Sequence, residues 1–539
     1  MSSALGRLSD FQLKAILGWG RGYPAAVLSG FALALPFVIP ECFLVGWIAL
    51  IPLLAVLAGS GVARSWRLAS VAGFVQIAVG MPWIAGFISD LASVDSVVLG
   101  RTIAAGYWFY AGQSLALAAI VSCWLERRHR LGLIAFPFLY ASSLCLFPFV
   151  VPFRLAEGQS EFLVAAQNVA LTGSAGLDLV MLMTNVAVFR LLRGDALWDR
   201  FNAPVCAILA GWLIGGWFGL GEWRSTVDSW PRASVGLVQP DIAPGLEPVE
   251  SQPGFSRLYS AQWAVTEDLA ALGADLIVWP ESRDLGYFEE KSQQDYWRSG
   301  ARALGISLLM GDRDSVSVDG REYNSLVMLG EQTSTYRKVQ RIPFGEYIPA
   351  VFRWSMFSAI SEEIFSGFTR SIEAGSGPVP MVWREWGLAP AICFESQWPE
   401  TIARSVQAGS RPAGVALVIA SDDAWFADGL QPLQHQRASR LRALENRVPL
   451  IHVINNGPSL VLSPAGDSIF ESEAGKPSAA VVTMPIGAGS GQTLYSRFPG
   501  WFDWLILSIS IGLIVLGLLT PVNRETAPQR RQGPPTDYS

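Results

Sequence analysis

Histidine is nearly absent from this chain: three occur in 539 residues, His129, His435 and His452. That is too few for a zinc site, and no Cys-x-x-Cys pair supplements them, so no metal is expected. Nothing in the sequence implies an organic cofactor either. Charge is also scarce, at 16% of residues against 51% hydrophobic. That balance is too apolar for an ordinary soluble protein and too polar for a pure membrane bundle. The net charge of −6 carries little information, but the lack of a Lys/Arg cluster over about 222–500 gives no sign of nucleic acid as a partner. Of five cysteines, Cys42, Cys123, Cys145 and Cys206 fall in apolar runs. Cys393 is left alone in the polar stretch, which excludes an internal disulfide there. No internal repeat is present. No cleavable signal peptide is expected, because the first apolar run reads as a retained span.

What is present is strongly uneven apolarity. Candidate membrane spans lie near 25–41, 43–59, 68–88, 100–124, 131–152, 174–192, 203–221 and 502–520. Each comes close to the ~20 residues that cross a hydrocarbon core. Pro36, Pro40 and Pro52 interrupt the first two and blur their limits. A single run of this kind could be a buried core helix, but the set is not explained that way. Basic residues alternate with the spans. Arg7, Lys14 and Arg21 precede the first, Arg64 and Arg67 follow the second, and Arg127, Arg128 and Arg130 follow the fourth. Arg190, Arg193 and Arg200 follow the sixth, and Arg524, Arg530 and Arg531 the last. The alternate short loops hold only Arg101 and Arg154. The positive-inside rule then places both termini in the cytoplasm and the polar stretch on the other side, the periplasm of a bacterium. The expected organisation is a membrane domain of about seven helices over 1–222, an extracytoplasmic domain over 223–498, a last membrane helix over 499–522 and a disordered cytoplasmic tail over 523–539.

The extracytoplasmic stretch alternates strand and helix signals, which argues a domain of stacked sheets and helices. Strands are expected at 233–239, 275–279, 306–310, 325–329, 388–393, 415–420, 450–455 and 459–462, with one more in the run before Lys338. Helices are expected at 255–272, 290–304 and 432–446. Residues 350–380, with Phe352, Trp354, Phe357, Phe365 and Phe368 among Ser and Gly, fit neither period. They read as a loop able to touch lipid or as a plain surface excursion.

Three polar residues close apolar extended runs. Glu281 follows Leu276-Ile-Val-Trp-Pro, Lys338 ends Tyr336-Arg-Lys, and Cys393 ends Leu388-Ala-Pro-Ala-Ile-Cys. Taken singly, each has a bland alternative. A lone cysteine is usually a small buried hydrophobe, a Glu after a strand often caps the next helix, and most lysines are solvated. Together they supply a complete set. A thiol needs a base, and a water-shielded carboxylate has a pKa raised toward that role. An ammonium stabilises both a thiolate and the oxyanion of a tetrahedral intermediate. Acyl transfer without histidine is the chemistry such a set allows.

These strings resemble the Glu–Lys–Cys signatures of the nitrilase, or carbon–nitrogen hydrolase, superfamily: Trp279-Pro-Glu281, Tyr336-Arg-Lys338 and Ile392-Cys-Phe-Glu395. Further strings are similar to its membrane branch, the apolipoprotein N-acyltransferases. They are Val339-Gln-Arg-Ile-Pro-Phe-Gly-Glu346-Tyr-Ile-Pro, Ser421-Asp-Asp-Ala-Trp-Phe, Gln434-His435, Arg442-Ala-Leu-Glu-Asn-Arg447 and Asn455-Asn-Gly457. The resemblance implies a multi-pass helical membrane bundle carrying an αββα sandwich. It implies that Glu281 is general base, Lys338 the oxyanion stabiliser and Cys393 the nucleophile. Glu346, Phe394, Glu395 and Asn324 match supporting positions. Glu346 could instead be a plain buried salt-bridge partner, and Asn324 a turn residue. The implied donor is a phospholipid, the implied acceptor a diacylglyceryl-modified apolipoprotein, and the implied site of action the bacterial inner membrane. A monomer is expected.

Some positions depart from the family pattern. Residues 238–252 lack a Trp after Gln239, Ser282-Arg-Asp follows Glu281, Asp422 replaces a frequent Asn and Ala427 a frequent Gly. Residues 150–175 lack the expected Trp/Glu/Arg pattern. These departures bear on the acyl acceptor and not on the thioester chemistry. The alternatives are a membrane-bound amidase or acyltransferase acting on another amine or amide, and a non-catalytic scaffold. The intact set of three residues argues against the scaffold.

Overall fold

A computed structural model of the protein describes residues 22–91, 97–243, 253–281, 285–317, 319–349, 372–426 and 429–520. Most of the 350–380 segment, the tail from 521, the departures at 282–284 and Ala427 lie outside the described residues. Twelve strands form two six-stranded sheets among them. The strands are β1 (Arg232–Gln239), β2 (Leu276–Val278), β3 (Ser307–Asp314), β4 (Tyr323–Leu329), β5 (Ser334–Arg337) and β6 (Met381–Trp383). They continue with β7 (Trp386–Ile392), β8 (Val415–Ser421), β9 (Leu450–Ile454), β10 (Leu460–Leu462), β11 (Ser468–Glu471) and β12 (Ser478–Pro485). One sheet runs β12-β1-β2-β3-β4-β5 and the other β11-β10-β9-β8-β7-β6. In each, three central strands are parallel (β1-β2-β3 and β7-β8-β9) and the flanking ones antiparallel.

The strand sequences are near-continuous apolar runs because both faces of each sheet are covered. Side chains alternate between layers with a period of two. Leu276, Val278, Leu309, Leu326 and Met328 from one sheet meet Leu388, Ile392, Ala416, Val418, Ile451 and Val453 from the other in a single shared core. Their neighbours point the opposite way. Ile277, Leu308, Met310 and Val327 pack under Trp263 and Trp297 of the helices Ala261–Ala271 and Lys291–Leu304. Ala389, Ala391, Val415, Leu417 and Ile419 pack under Ile402, Val406 and Ala443 of Pro399–Gly409 and Leu430–Asn446. The result is an αββα sandwich.

Before it comes a helical region. Among the described residues five helices are long and apolar enough to cross a membrane: Pro40–Leu57, Val98–His129, Ser174–Leu192, Asn202–Asp228 and Trp501–Leu519. Tyr23–Val38 and Gly132–Leu146 are shorter apolar helices. Two of the expected spans differ in detail. The second is a 3₁₀ turn, Pro40–Trp47, followed by Ile51–Leu57, because Pro40 and Pro52 each open a new helical segment. The third begins earlier than expected, as Val62–Gly80, and stops before Pro82; a separate helix, Ile84–Leu91, follows. Val62–Gly80 and Val97–His129 approach closely at a glycine pair, where a Cβ on Gly73 would overlap the Gly112 carbonyl oxygen.

The helical region and the sandwich share one core and a polar seam along Leu430–Asn446. Gln434 Nε2 donates to the Gly80 carbonyl at 2.6 Å, and Arg437 donates to the Phe37 carbonyl at 2.7 Å. Trp83 Nε1 donates to Gln434 Oε1 at 3.0 Å. The Ser174 N–H donates to Glu445 at 2.8 Å, and Arg447 donates to the Gln167 side chain and carbonyl at 2.6 and 2.9 Å. Trp83 also meets Phe426 edge-on, with ring centroids 5.1 Å apart.

Candidate functional site

The C-terminal ends of the parallel strands β2, β7 and β8 meet at one end of the sandwich, beside Lys338 at the end of β5. β2 ends at Val278, and the chain continues through Trp279, whose N–H donates to the Leu309 carbonyl, to Glu281. β5 ends at Arg337, and Lys338 is fixed by its N–H donating to the Asn324 carbonyl at 2.8 Å. β7 ends at Ile392. Cys393 was expected to belong to that strand; it is instead the first residue of a tight turn, with φ of +50°. A non-glycine residue in that region is uncommon and needs surrounding contacts to hold it. Here they are numerous.

The turn is held by Glu395. Its buried carboxylate accepts from Ile392 N–H at 2.7 Å, Val339 N–H at 2.7 Å, Gln340 N–H at 3.0 Å and the Tyr336 hydroxyl at 2.8 Å. Burial pushes its pKa up, and the backbone donors pull against that shift. Glu395 therefore ties the residues after Lys338 to the residue before Cys393. Phe394 packs near Trp398 and the His435 ring.

Around the thiol the charges converge. Lys338, 1% exposed, places Nζ 3.0 Å from Glu346 and 3.6 Å from Glu281. Asn324 Nδ2 donates to both carboxylates, at 2.6 Å to Glu281 and 3.1 Å to Glu346. The other Glu281 oxygen accepts from Asp422 N–H at 3.0 Å, and the other Glu346 oxygen from Ile342 N–H at 2.8 Å. Burial disfavours the Lys338 ammonium, but Glu346 and Glu281 more than offset it and hold its pKa above the ordinary lysine value. Burial raises the Glu281 carboxyl, Lys338 opposing. Burial, followed by the Glu281 charge, pushes the Cys393 thiol well above its usual pKa, with Lys338 pulling the other way. Burial and the Glu281 charge thus favour the thiol, and Lys338 the thiolate. A thiol that is to attack must lose its proton, and Glu281 is a neighbouring carboxylate whose pKa burial raises.

The structure brings Glu281, Lys338, Cys393, Glu346 and Asn324 into one cluster and sets Glu395 and Phe394 in the turn beside it. Sequence reasoning missed two residues there. Asp423 Oδ1 is 3.9 Å from the Cys393 sulfur, and His435 lies between Asp423 and the Cys393 carbonyl oxygen. The available signal was the acidic pair closing β8, a fourth polar stop at the end of an apolar strand. Among the described residues no group of acidic, His and Cys side chains could hold a metal ion.

Comparison with known proteins extends over nearly the whole chain. Residues 234–485 match the carbon–nitrogen hydrolase family model, and residues 29–187 match the apolipoprotein N-acyltransferase N-terminal domain. An apolipoprotein N-acyltransferase of Geobacter metallireducens is 28% identical over 512 residues, 90% of this chain and 93% of that protein. One from Brucella melitensis is 28% identical over 509 residues, covering 83% and 91%. One from Gloeobacter violaceus is 27% identical over 523 residues, covering 92% and 94%. Among solved structures, an amidase from Neterenkonia sp. AN1 shares 16% identity at a TM-score of 0.33, over 49% of this chain and 96% of its own. One family model matches the helical region and the other the sandwich, so the chain combines an apolipoprotein N-acyltransferase N-terminal domain with a carbon–nitrogen hydrolase domain, and over most of its length it is similar to apolipoprotein N-acyltransferases.

Proposed function

We propose that the protein transfers a fatty acyl chain from a phospholipid to the N-terminal amine of a lipid-modified apolipoprotein, through a thioester on Cys393. The observation that carries this reading is the buried Glu281–Lys338–Glu346 cluster around a thiol held at the tip of a strand. In the first half-reaction Glu281 takes the thiol proton as sulfur attacks the ester carbonyl. Lys338 faces the oxyanion that forms, in a site shielded from water where such stabilisation is strong. Collapse breaks the ester C–O bond, and Glu281 returns its proton to the departing glycerol oxygen, releasing a lysophospholipid. In the second half-reaction the amine attacks the thioester carbonyl and loses a proton to Glu281. The C–S bond breaks, and Cys393 regains its proton, closing a ping-pong cycle. Glu346 balances the second face of Lys338, and Asn324 holds the two carboxylates in place. Glu395, through Tyr336 and three backbone N–H groups, keeps the nucleophile turn in its strained form.

The same reading places the chain in the bacterial inner membrane, with the sandwich periplasmic and both termini cytoplasmic. The alternation of basic residues supports it, as do the exposed apolar side chains of Asn202–Asp228 and Trp501–Leu519, such as Trp217, Phe218, Trp504 and Leu518. A donor drawn from the bilayer and an acceptor anchored in it both suit a site at that surface.

The direct test is intact-protein mass spectrometry after incubation with phospholipid vesicles. A fatty acyl adduct that localises to Cys393 and disappears on addition of a diacylated lipopeptide is the expected result. Absence of the adduct, or its persistence in Cys393→Ala, refutes the thioester. Complementation of cells depleted of their own lipoprotein N-acyltransferase tests the acceptor.

A further inference from the structure

Among the described residues, the side chain hydrogen-bonded to the Cys393 carbonyl is that of His435. Its ring is fully buried, with Nε2 2.9 Å from that carbonyl oxygen and Nδ1 2.8 and 3.1 Å from the two oxygens of Asp423. A carbonyl oxygen only accepts, so Nε2 must carry a proton. The short contact to Asp423 requires a second proton between Nδ1 and the carboxylate. The pair therefore holds two protons and is neutral overall. Asp423 Oδ1 also lies 3.9 Å from the sulfur. Without its partner, that carboxylate would oppose the thiolate that attack requires. The remaining neighbours cannot take over. His452 packs edge-on against His435 at 4.7 Å, and burial and His435 hold its pKa well below normal. The His452 Nε2 is engaged with Ser421 Oγ at 2.9 Å, and Phe394 brings only its ring, 5.9 Å from that of His435. Glu281, the other charge felt by the His435 ring, favours the protonated form.

We propose that His435 is a positioning residue for the nucleophile: with Asp423 it forms a neutral two-proton bridge that fixes the Cys393 carbonyl in its turn and removes the negative charge beside the sulfur. This rests on the reading of Cys393 as the nucleophile. It adds that a carboxylate close to the thiol is tolerated only because a histidine three elements away in sequence cancels it. Asp423→Asn preserves the arrangement, since the amide N–H donates to Nδ1 while Nε2–H still donates to the carbonyl. His435→Ala strips the bridge and leaves Asp423 bare.

The test is the pH profile of Cys393 alkylation by iodoacetamide in the full-length protein in detergent, with acyl-adduct formation measured in parallel. A bare charge 3.9 Å from the sulfur corresponds to about 3 pH units at an effective dielectric of ~20. Water entering the gap left by the imidazole screens part of that. His435→Ala is therefore expected to move the alkylation profile up by ~1 pH unit or more. His435→Ala/Asp423→Asn should return it toward wild type, and Asp423→Asn alone should shift it little. A His435 that merely fills space gives no such rescue. Equal profiles for His435→Ala and the double variant, or no shift in either, overturn the proposal. If His435→Ala fails to accumulate, His435→Gln, which keeps the carbonyl donor and loses the second proton, is measured with and without Asp423→Asn against the same criterion. The underlying reading fails separately: adduct formation that persists in Cys393→Ala removes the nucleophile, whatever the profiles do.

Discussion

Lys338→Met isolates the ammonium at the centre of the site. Met has nearly the same length, so the change removes charge and hydrogen bonds with little loss of volume. The ammonium faces Glu346 at 3.0 Å and Glu281 at 3.6 Å. At an effective dielectric of ~20 each pair is worth about 5 kcal/mol of Coulomb attraction. Most of that is offset by several kcal/mol of desolvation per buried ion, so the net loss expected on removing one partner of such a cluster is about 3–5 kcal/mol. Two carboxylates that share the single Asn324 amide would then face each other without a cation. One takes up a proton, which pushes Glu281 further from its basic form. Acylation of Cys393 is expected to fall at least ~10²–10³-fold, the cost of losing one preorganised oxyanion donor. Adding Glu346→Gln to Lys338→Met relieves the carboxylate repulsion, so thermal stability in detergent should recover in part while acylation stays lost. Thermal denaturation followed by fluorescence, with adduct mass spectrometry alongside, reads both. An acylation rate within ~10-fold of wild type in Lys338→Met would refute the role assigned to the ammonium.

Cys393→Ser should retain the fold and show no acyl adduct, because a serine hydroxyl is far harder to deprotonate than a thiol; an oxygen-ester adduct at a comparable rate would contradict the scheme. Glu281 must be ionised to act as base and its pKa is raised by burial, so acylation should rise with pH along a limb above the ordinary carboxylate range; a rate flat from pH 5 to pH 8, near the usual ~4.3 for Glu, counts against it. Glu395→Gln replaces an acceptor of four donors with a group that must present two N–H of its own; the expected loss is about 2–4 kcal/mol in denaturation with adduct yield falling alongside, and an unchanged midpoint would show that the turn is held elsewhere. A cysteine placed at exposed Glu331, in a chain whose exposed Cys145 and Cys206 are changed to Ser, should react in whole cells with a membrane-impermeant maleimide. Labelling only after lysis would put the sandwich on the cytoplasmic side.

Several central strands were legible because their apolar runs stop abruptly at a polar or reactive residue. β2, β7 and β8 fall within a residue or two of the runs ending before Glu281, Cys393 and Asp422. The antiparallel edges were not legible. β6 is three residues long, and β11 shows a mostly exposed face. β12, Ser478–Pro485, is mostly small residues, and its partner β1 lies at the other end of the domain in sequence, so only the closed sheet reveals it. The helix Pro399–Gly409 was missed because its signal begins at a proline that reads as a break, although Pro suits the first helical position. Within the site, Glu281, Lys338 and Cys393 announce themselves by residue type and setting. The Asp423–His435 bridge does not, because it joins three elements whose proximity exists only after folding. The positive φ of Cys393 is equally silent in the residues themselves.

Leu430–Asn446 touches both halves of the molecule. Through His435 it grips the peptide of the nucleophile; through Gln434 and Arg437, one and two positions away, it hangs on carbonyls at the C-terminal ends of Tyr23–Val38 and Val62–Gly80. A tilt of those first helices, such as a thinner or thicker bilayer imposes, would pull on the helix that sets the sulfur's geometry. If the proposed function holds, lipid composition would then act on turnover mechanically as well as through the donor. Excising the sandwich for study in solution would yield a protein whose reactive cysteine had lost its tether.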